Sequence, residues 1–326
     1  MSFLKIDNLS VNYRMRKETV YAVKNINFDV KKGEILGLVG ESGSGKSTLG
    51  SAIINLIDEP GKISGGKVIL DGINIHENFE DIFKYRGKKI GLIFQDPQTS
   101  LNPLLTIGEQ LIETIQTHLD LNFKESKDRA ITLLQEVGIK DAENRFDNYP
   151  HQFSGGMRQR VVISLALCCE PDLLIADEPT TALDVTIQSQ IVDLIKDLQN
   201  ELKMSVIWIT HDLSLLARIA KRINVMYAGS IIETADIKEI YSEPKHPYTI
   251  GLIKSIPRLD EIRSRELFSI EGLPPDLLEE TQHCLFAPRC KNAIDQCWEK
   301  KPNLFETNTS SHFSSCFRWR ETASLI

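Results

Sequence analysis

Gly40-Glu41-Ser42-Gly43-Ser44-Gly45-Lys46-Ser47 follows the continuous apolar run Ile35-Leu36-Gly37-Leu38-Val39 and leads into Thr48, Leu49 and Ile53. A short apolar run bounded by glycine reads as a strand buried on both faces. Strand, glycine-rich turn and helix in that order satisfy the phosphate-loop pattern G-x-x-x-x-G-K-[ST] in the context it requires. The chemistry follows from the residue types. Glycines let main-chain N–H groups turn inward around phosphate oxygens, and the helix N-terminus adds positive potential. Gly40, Ser42, Gly43, Ser44, Gly45 and Thr48 are therefore candidate nucleotide-binding positions, Lys46 reaches the outer phosphates, and the Ser47 hydroxyl ligates Mg²⁺.

Three more apolar runs, Ile90-Gly91-Leu92-Ile93-Phe94, Leu173-Leu174-Ile175-Ala176 and Val206-Ile207-Trp208-Ile209, have the same doubly buried character. Together they imply a parallel central sheet and an α/β fold. Before the loop, Leu4 and Ile6, then Leu9, Val11 and Tyr13, then Ile26, Phe28 and Val30 alternate with polar neighbours, the pattern of half-buried antiparallel strands. From about residue 97 to 160 the period changes. Ile107, Leu111 and Ile115 form one helical stripe and Ile131, Leu134 and Val137 another, which predicts an inserted helical subdomain. Beyond Pro257 the chain is interrupted by Pro274, Pro275, Pro288 and Pro302 and carries four cysteines, so a small cysteine-rich module over 257–326 is expected after a nucleotide-binding domain over 1–256.

Composition narrows the class. The 326 residues are 41% hydrophobic and 25% charged, a globular balance, and the formal net charge of −7 offers no electrostatic footprint for nucleic acid. The longest apolar stretch, Val161 to Cys169, is about half of the roughly 20 residues that span a bilayer. The N-terminus lacks a basic segment followed by an apolar run, so a cytoplasmic location is expected. Six cysteines in that reducing compartment point away from disulfides, and their clustering points to metal.

The run Leu173 to Ala176 ends in Asp177 and Glu178. With a phosphate loop upstream, Asp177 is placed to hold Mg²⁺ and Glu178 to act as general base on an attacking water. Between loop and carboxylates lies Phe153-Ser154-Gly155-Gly156-Met157-Arg158-Gln159-Arg160. This resembles the L-S-G-G-Q signature of the ABC ATPase family, with Met157 where the commonest pattern has Gln. The resemblance implies a RecA-like core of the P-loop NTPase type and a nucleotide sandwich. In that sandwich Ser154, Gly155 and Gly156 of one ATPase subunit complete the ATP site around Lys46 of a second, identical or homologous. It further implies that Gln95, after the Ile90 to Phe94 strand, is the Q-loop residue sensing Mg²⁺ and water, and that His211, after Thr210, is the switch histidine. Ala182-Leu183-Asp184 resembles the D-loop at the dimer interface, and Tyr13 falls where an aromatic ring meets adenine.

His246-Pro247-Tyr248-Thr249, Ile270-Glu271-Gly272-Leu273-Pro274-Pro275 and the cysteine-rich tail are similar to the ATPase subunits of oligopeptide and dipeptide importers, over nearly the whole chain. What that implies is a peripheral protein on the cytoplasmic face of the inner membrane. Its partners would be two permease subunits, a second ATPase and, indirectly, an extracytoplasmic peptide-binding protein. Importers of nickel, glutathione or oligosaccharides have similar ATPases, and the cargo stays open among them. A soluble ABC ATPase acting on nucleic acid would carry tandem ATPase domains or long coiled-coil insertions. A small-molecule kinase would not need the signature, Gln95 or His211.

The spacing Cys284-x₅-Cys290-x₆-Cys297-x₁₈-Cys316 is wider than zinc sites prefer, whereas iron–sulfur ligation accepts irregular spacing. The family resemblance favours a [4Fe–4S] cluster, with zinc and unligated thiols as the alternatives. Cys168 and Cys169 read as core residues. His312, four residues before Cys316, reads as a solvated histidine.

Overall fold

The computed structural model describes residues 2–77, 81–181, 183–256, 268–278 and 281–322. The expected boundary at Pro257 lies outside them. The chain forms two compact units, one of Met1–Val30, Ile35–Asn74 and Trp208–Ile326, the other of Lys31–Glu34 and Ile75–Ile207.

In the first unit the alternating segments form an antiparallel sheet. Its strands run in the order Thr19–Lys31, Ser2–Arg14, Gly61–Leu70, Ile73–Asn74. Leu4 pairs with Leu70 and Ile6 with Val68, then the register shifts between Asp7 and Val11 so that Tyr13 comes opposite Gly61. Period-2 burial explains the pairing: Leu4, Ile6, Leu9 and Val11 are all within 1% of complete burial. The fully buried strand Ile35–Val39 runs parallel to Arg222–Tyr227, with Leu36 opposite Arg222 and Val39 opposite Val225. Arg222–Tyr227 is followed outward by Ser230–Asp236, Phe313–Ser314 and Phe305–Glu306, all antiparallel. The tail thus adds two short strands to this sheet by pairing Glu233 with Ser314 and Thr234 with Phe313.

In the second unit Ile90–Ile93 and Leu173–Asp177 pair in parallel, Ile90 opposite Leu173 and Ile93 opposite Ala176. Around them lie the helices Ile107–His118, Phe123–Glu136, Gly155–Leu167 and Val185–Leu202. Ile107, Leu111 and Ile115 are fully buried, as the stripe requires. The starts of the first two helices are written in the sequence as capping boxes, Thr106 with Glu109 and Asn122 with Glu125. Each cap is worth about 1 kcal/mol. Among the described residues no helix is long and apolar enough to cross a membrane.

Candidate functional site

The phosphate loop leaves the strand Ile35–Val39 and enters the helix Lys46–Ile53, whose N-cap Gly45 has φ 97°. A Cβ on Gly45 would come within 2.3 Å of the Ala22 carbonyl, and one on Gly40 within 2.1 Å of the Met226 carbonyl, so both positions exclude a side chain on geometry alone. Lys46, 4% exposed, donates from Nζ to the carbonyls of Gly40 and Glu41, both at 2.9 Å, with Ser44 Oγ at 3.4 Å. Its ammonium is held over the loop mouth by main-chain dipoles. Ser44 is buried beneath the loop while Ser42, Gly43 and Ser47 face outward and Thr48 is half-buried. A helix N-terminus and one buried cation beside a glycine-bearing turn are parts that a phosphate cradle uses. Tyr13 lies half-buried opposite Gly61, whose missing side chain leaves room for the ring. His211 is exposed directly after the strand Ser205–Thr210, and Asp212 caps the next helix by accepting from Ser214 N at 2.9 Å.

The second unit gathers the carboxylate end. Glu178 follows Leu173–Asp177 with φ 45°, a left-handed conformation that costs a non-glycine residue on the order of 1–3 kcal/mol and recurs where function demands it. Its Oε2 accepts from Gln95 Nε2 at 3.1 Å and from Thr181 Oγ1 at 2.8 Å. Gln95 and Glu178, 83 residues apart, therefore meet as one hydrogen-bonded pair. Asp177, half-buried, ends the same strand. Ser154 is the exposed N-cap of Gly155–Leu167 and accepts from Met157 N at 3.4 Å. A Cβ on Gly155 would meet open space, so no neighbouring atom crowds the start of the helix. Met157 contributes its main chain to that turn. Asp184 caps Val185–Leu202 from an exposed position by accepting from Ile187 N at 2.9 Å, and Ala182 lies outside the described residues.

An ABC transporter family model matches residues 23–181, and an oligopeptide/dipeptide transporter C-terminal region model matches residues 232–297. The chain is 46% identical to the oligopeptide transport ATP-binding protein AppD of Bacillus subtilis, over 98% of each chain. This chain belongs to the ABC transporter ATP-binding family. The dipeptide transport ATP-binding protein DppD of Haemophilus influenzae is 48% identical over 93% of this chain and 92% of its own. Among solved structures, the dimeric post-hydrolysis ATP-binding cassette MJ0796, bound to ADP and phosphate, matches with a TM-score of 0.65 and 32% identity. It covers 72% of this chain and 98% of its own. As an ABC ATP-binding subunit the chain hydrolyses ATP, and its core has the α/β fold of that family.

In the tail, one sequence expectation finds no support and another is corrected. Among the described residues no three His, Cys, Asp or Glu side chains stand close enough to hold one metal ion. The expected metal cluster at Cys284, Cys290, Cys297 and Cys316 finds no support in that geometry. Burial pushes the Cys284 thiol up to about 11 and Cys316 to about 12, the charges of Cys284, Cys290 and Cys297 adding to the second. His312 is not solvated. It is 2% exposed, with Nε2 2.7 Å from Oε1 of the fully buried Glu233, whose other oxygen accepts from His246 N at 3.0 Å. A buried carboxylate needs such partners, and a lone histidine in sequence carries no sign of one 79 residues away.

Nothing in the sequence marks what His246 to Thr249 do in the fold. His246 Nδ1 accepts from Tyr248 N, starting the helix Pro247–Lys254, and burial holds its ring neutral down to about 3. The Tyr248 hydroxyl then accepts from Glu41 N at 2.8 Å, inside the phosphate loop. Phe286 of the tail packs edge-on against Tyr227 and Tyr248, with ring centroids 5.4 and 5.5 Å apart. Cys168 and Cys169 are core residues, as read.

Proposed function

We propose that this chain powers import of dipeptides or oligopeptides across the cytoplasmic membrane, bound at its cytoplasmic face to two permease subunits and paired with a second ATPase. The observation that carries the cargo class is the oligopeptide/dipeptide transporter region at residues 232–297, in a chain aligned over nearly its whole length with peptide-transport relatives. Nickel, glutathione or oligosaccharide import remains the competing outcome of the test below. The phosphate loop receives the β and γ phosphates, with Lys46 opposing their charge and Ser47, Asp177 and Gln95 as the Mg²⁺ side. Glu178 Oε2 takes the proton of the attacking water. Ser154, Gly155 and Gly156 act on the site of the partner ATPase, and His211 contacts the γ-phosphate. Leu104, 82% exposed within Gln95 to Thr106, and Phe94, 44% exposed just before it, support that segment as the permease-contacting surface. Deleting the gene should abolish uptake of a labelled dipeptide by whole cells, and the wild-type copy should restore it; uptake that survives deletion overturns the cargo assignment.

Four thiols are the donor count a [4Fe–4S] cluster takes, and on the family resemblance Cys284, Cys290, Cys297 and Cys316 would be the ones to hold it. Its contribution would be to clip a proline-interrupted segment. Anaerobically purified protein should contain about four irons and four sulfides per chain. Zinc, or no metal, removes the cluster from the reading.

A further inference from the structure

Phosphate chemistry explains the glycines and the lysine of the loop, but it asks for no carboxylate. Glu41 is the one carboxylate in Gly40 to Ser47, and an unneutralised negative charge there would oppose a bound triphosphate. The fold answers it from the far end of the chain. Arg289 Nη1 lies 2.7 Å from Glu41 Oε2 and Nη2 3.1 Å from Oε1, a bidentate fork across 248 residues of sequence. The Arg289 side chain is 4% exposed. Its Nε donates to the Glu271 carbonyl at 3.0 Å and Nη2 also to the Ile270 carbonyl at 3.2 Å, so every guanidinium nitrogen is engaged and the fork is itself fixed. Arg289 in turn ends the short helical turn Ala287–Arg289, anchored by Phe286 among Tyr227 and Tyr248 and followed at once by Cys290. Residue 41 is thus held by its side chain on Arg289 and by its N–H on Tyr248, while its carbonyl holds Lys46.

We propose that Arg289 is a positioning residue for the nucleotide site: it neutralises Glu41 and fixes the carbonyl on which Lys46 rests, tying the cysteine-bearing turn to ATP affinity. The inference rests on the nucleotide reading and is independent of the cargo. Full-chain variants are compared by equilibrium binding of a fluorescent ATP analogue and by ATPase kinetics, with thermal melting alongside. Arg289→Gln should weaken nucleotide binding and raise KM by roughly tenfold or more, while kcat at saturating ATP stays within about twofold. Adding Glu41→Gln should recover most of that loss, because the opposing charge is then gone, a rescue that a merely structural role for the tail would not produce. Unchanged affinity in Arg289→Gln, or no recovery in the double variant, overturns the proposal. Should Arg289→Gln fail to fold, Arg289→Lys reads the same quantity, since it keeps the charge without the fork. Intermediate affinity supports the proposal and full wild-type affinity overturns it. A wild-type chain that bound no ATP would instead overturn the nucleotide reading itself.

Discussion

Glu178→Gln is expected to lower kcat for ATP hydrolysis by about 10²- to 10⁴-fold, the usual worth of a positioned general base. The substitution is nearly silent in structure. The hydrogen bonds from Gln95 Nε2 and Thr181 Oγ1 at Glu178 Oε2 are received ones, and a carboxamide oxygen in the same place receives them equally. The left-handed backbone at φ 45° is the same for either side chain. What disappears is the negative charge and the capacity to take a proton from water. Nucleotide binding, which depends on the loop around Lys46, should be retained. A sandwich that can form but not resolve should then accumulate. Phosphate release assays and size-exclusion chromatography in MgATP read the two halves of this prediction. The variant should elute as an ATP-dependent dimer with little turnover, and wild-type turnover in the variant would remove Glu178 from the base role.

The legibility of this molecule in its sequence follows the range of the forces involved. The phosphate loop, the buried strands and the capping boxes are local: a few adjacent residue types dictate each, and Gly40 to Ser47 lies where strand and helix predicted it. Gln95 and Glu178 were also readable, because each ends an apolar run of a parallel pair, and parallel strands bring their ends together. The contacts that support the loop were not readable. Arg289 and Glu41 are each ordinary surface types, and no periodicity marks that one is bent onto the other. The same holds for His312 and Glu233, where burial turns an apparently solvated histidine into the partner of an enclosed carboxylate. Cysteine spacing raised a metal expectation because spacing reports donor count, whereas ligation depends on where folding leaves the sulfurs.

Lys46→Ala should eliminate measurable ATP turnover, by at least about 10²-fold, and unlike Glu178→Gln it should do so by weakening the bound state as well. The reason lies in where the ammonium sits. Lys46 is 4% exposed, and its Nζ is shared between the carbonyls of Gly40 and Glu41 at 2.9 Å each, so the cation is pre-placed beside the loop before any phosphate arrives. Truncation removes the positive charge meant for the outer phosphates. It also takes the Nζ donor away from both carbonyls, in a loop that already carries the Glu41 carboxylate. The helix should survive, since alanine is the better helix former at its first position and the strand and sheet around it are untouched. A melting temperature close to wild type together with lost nucleotide binding is therefore the expected pair of results. The two variants then separate two events that a single loss of activity would merge: Glu178→Gln holds nucleotide and cannot cleave it, whereas Lys46→Ala cannot hold it. Normal ATPase activity in Lys46→Ala would detach the phosphate loop from catalysis and overturn the nucleotide assignment for this chain.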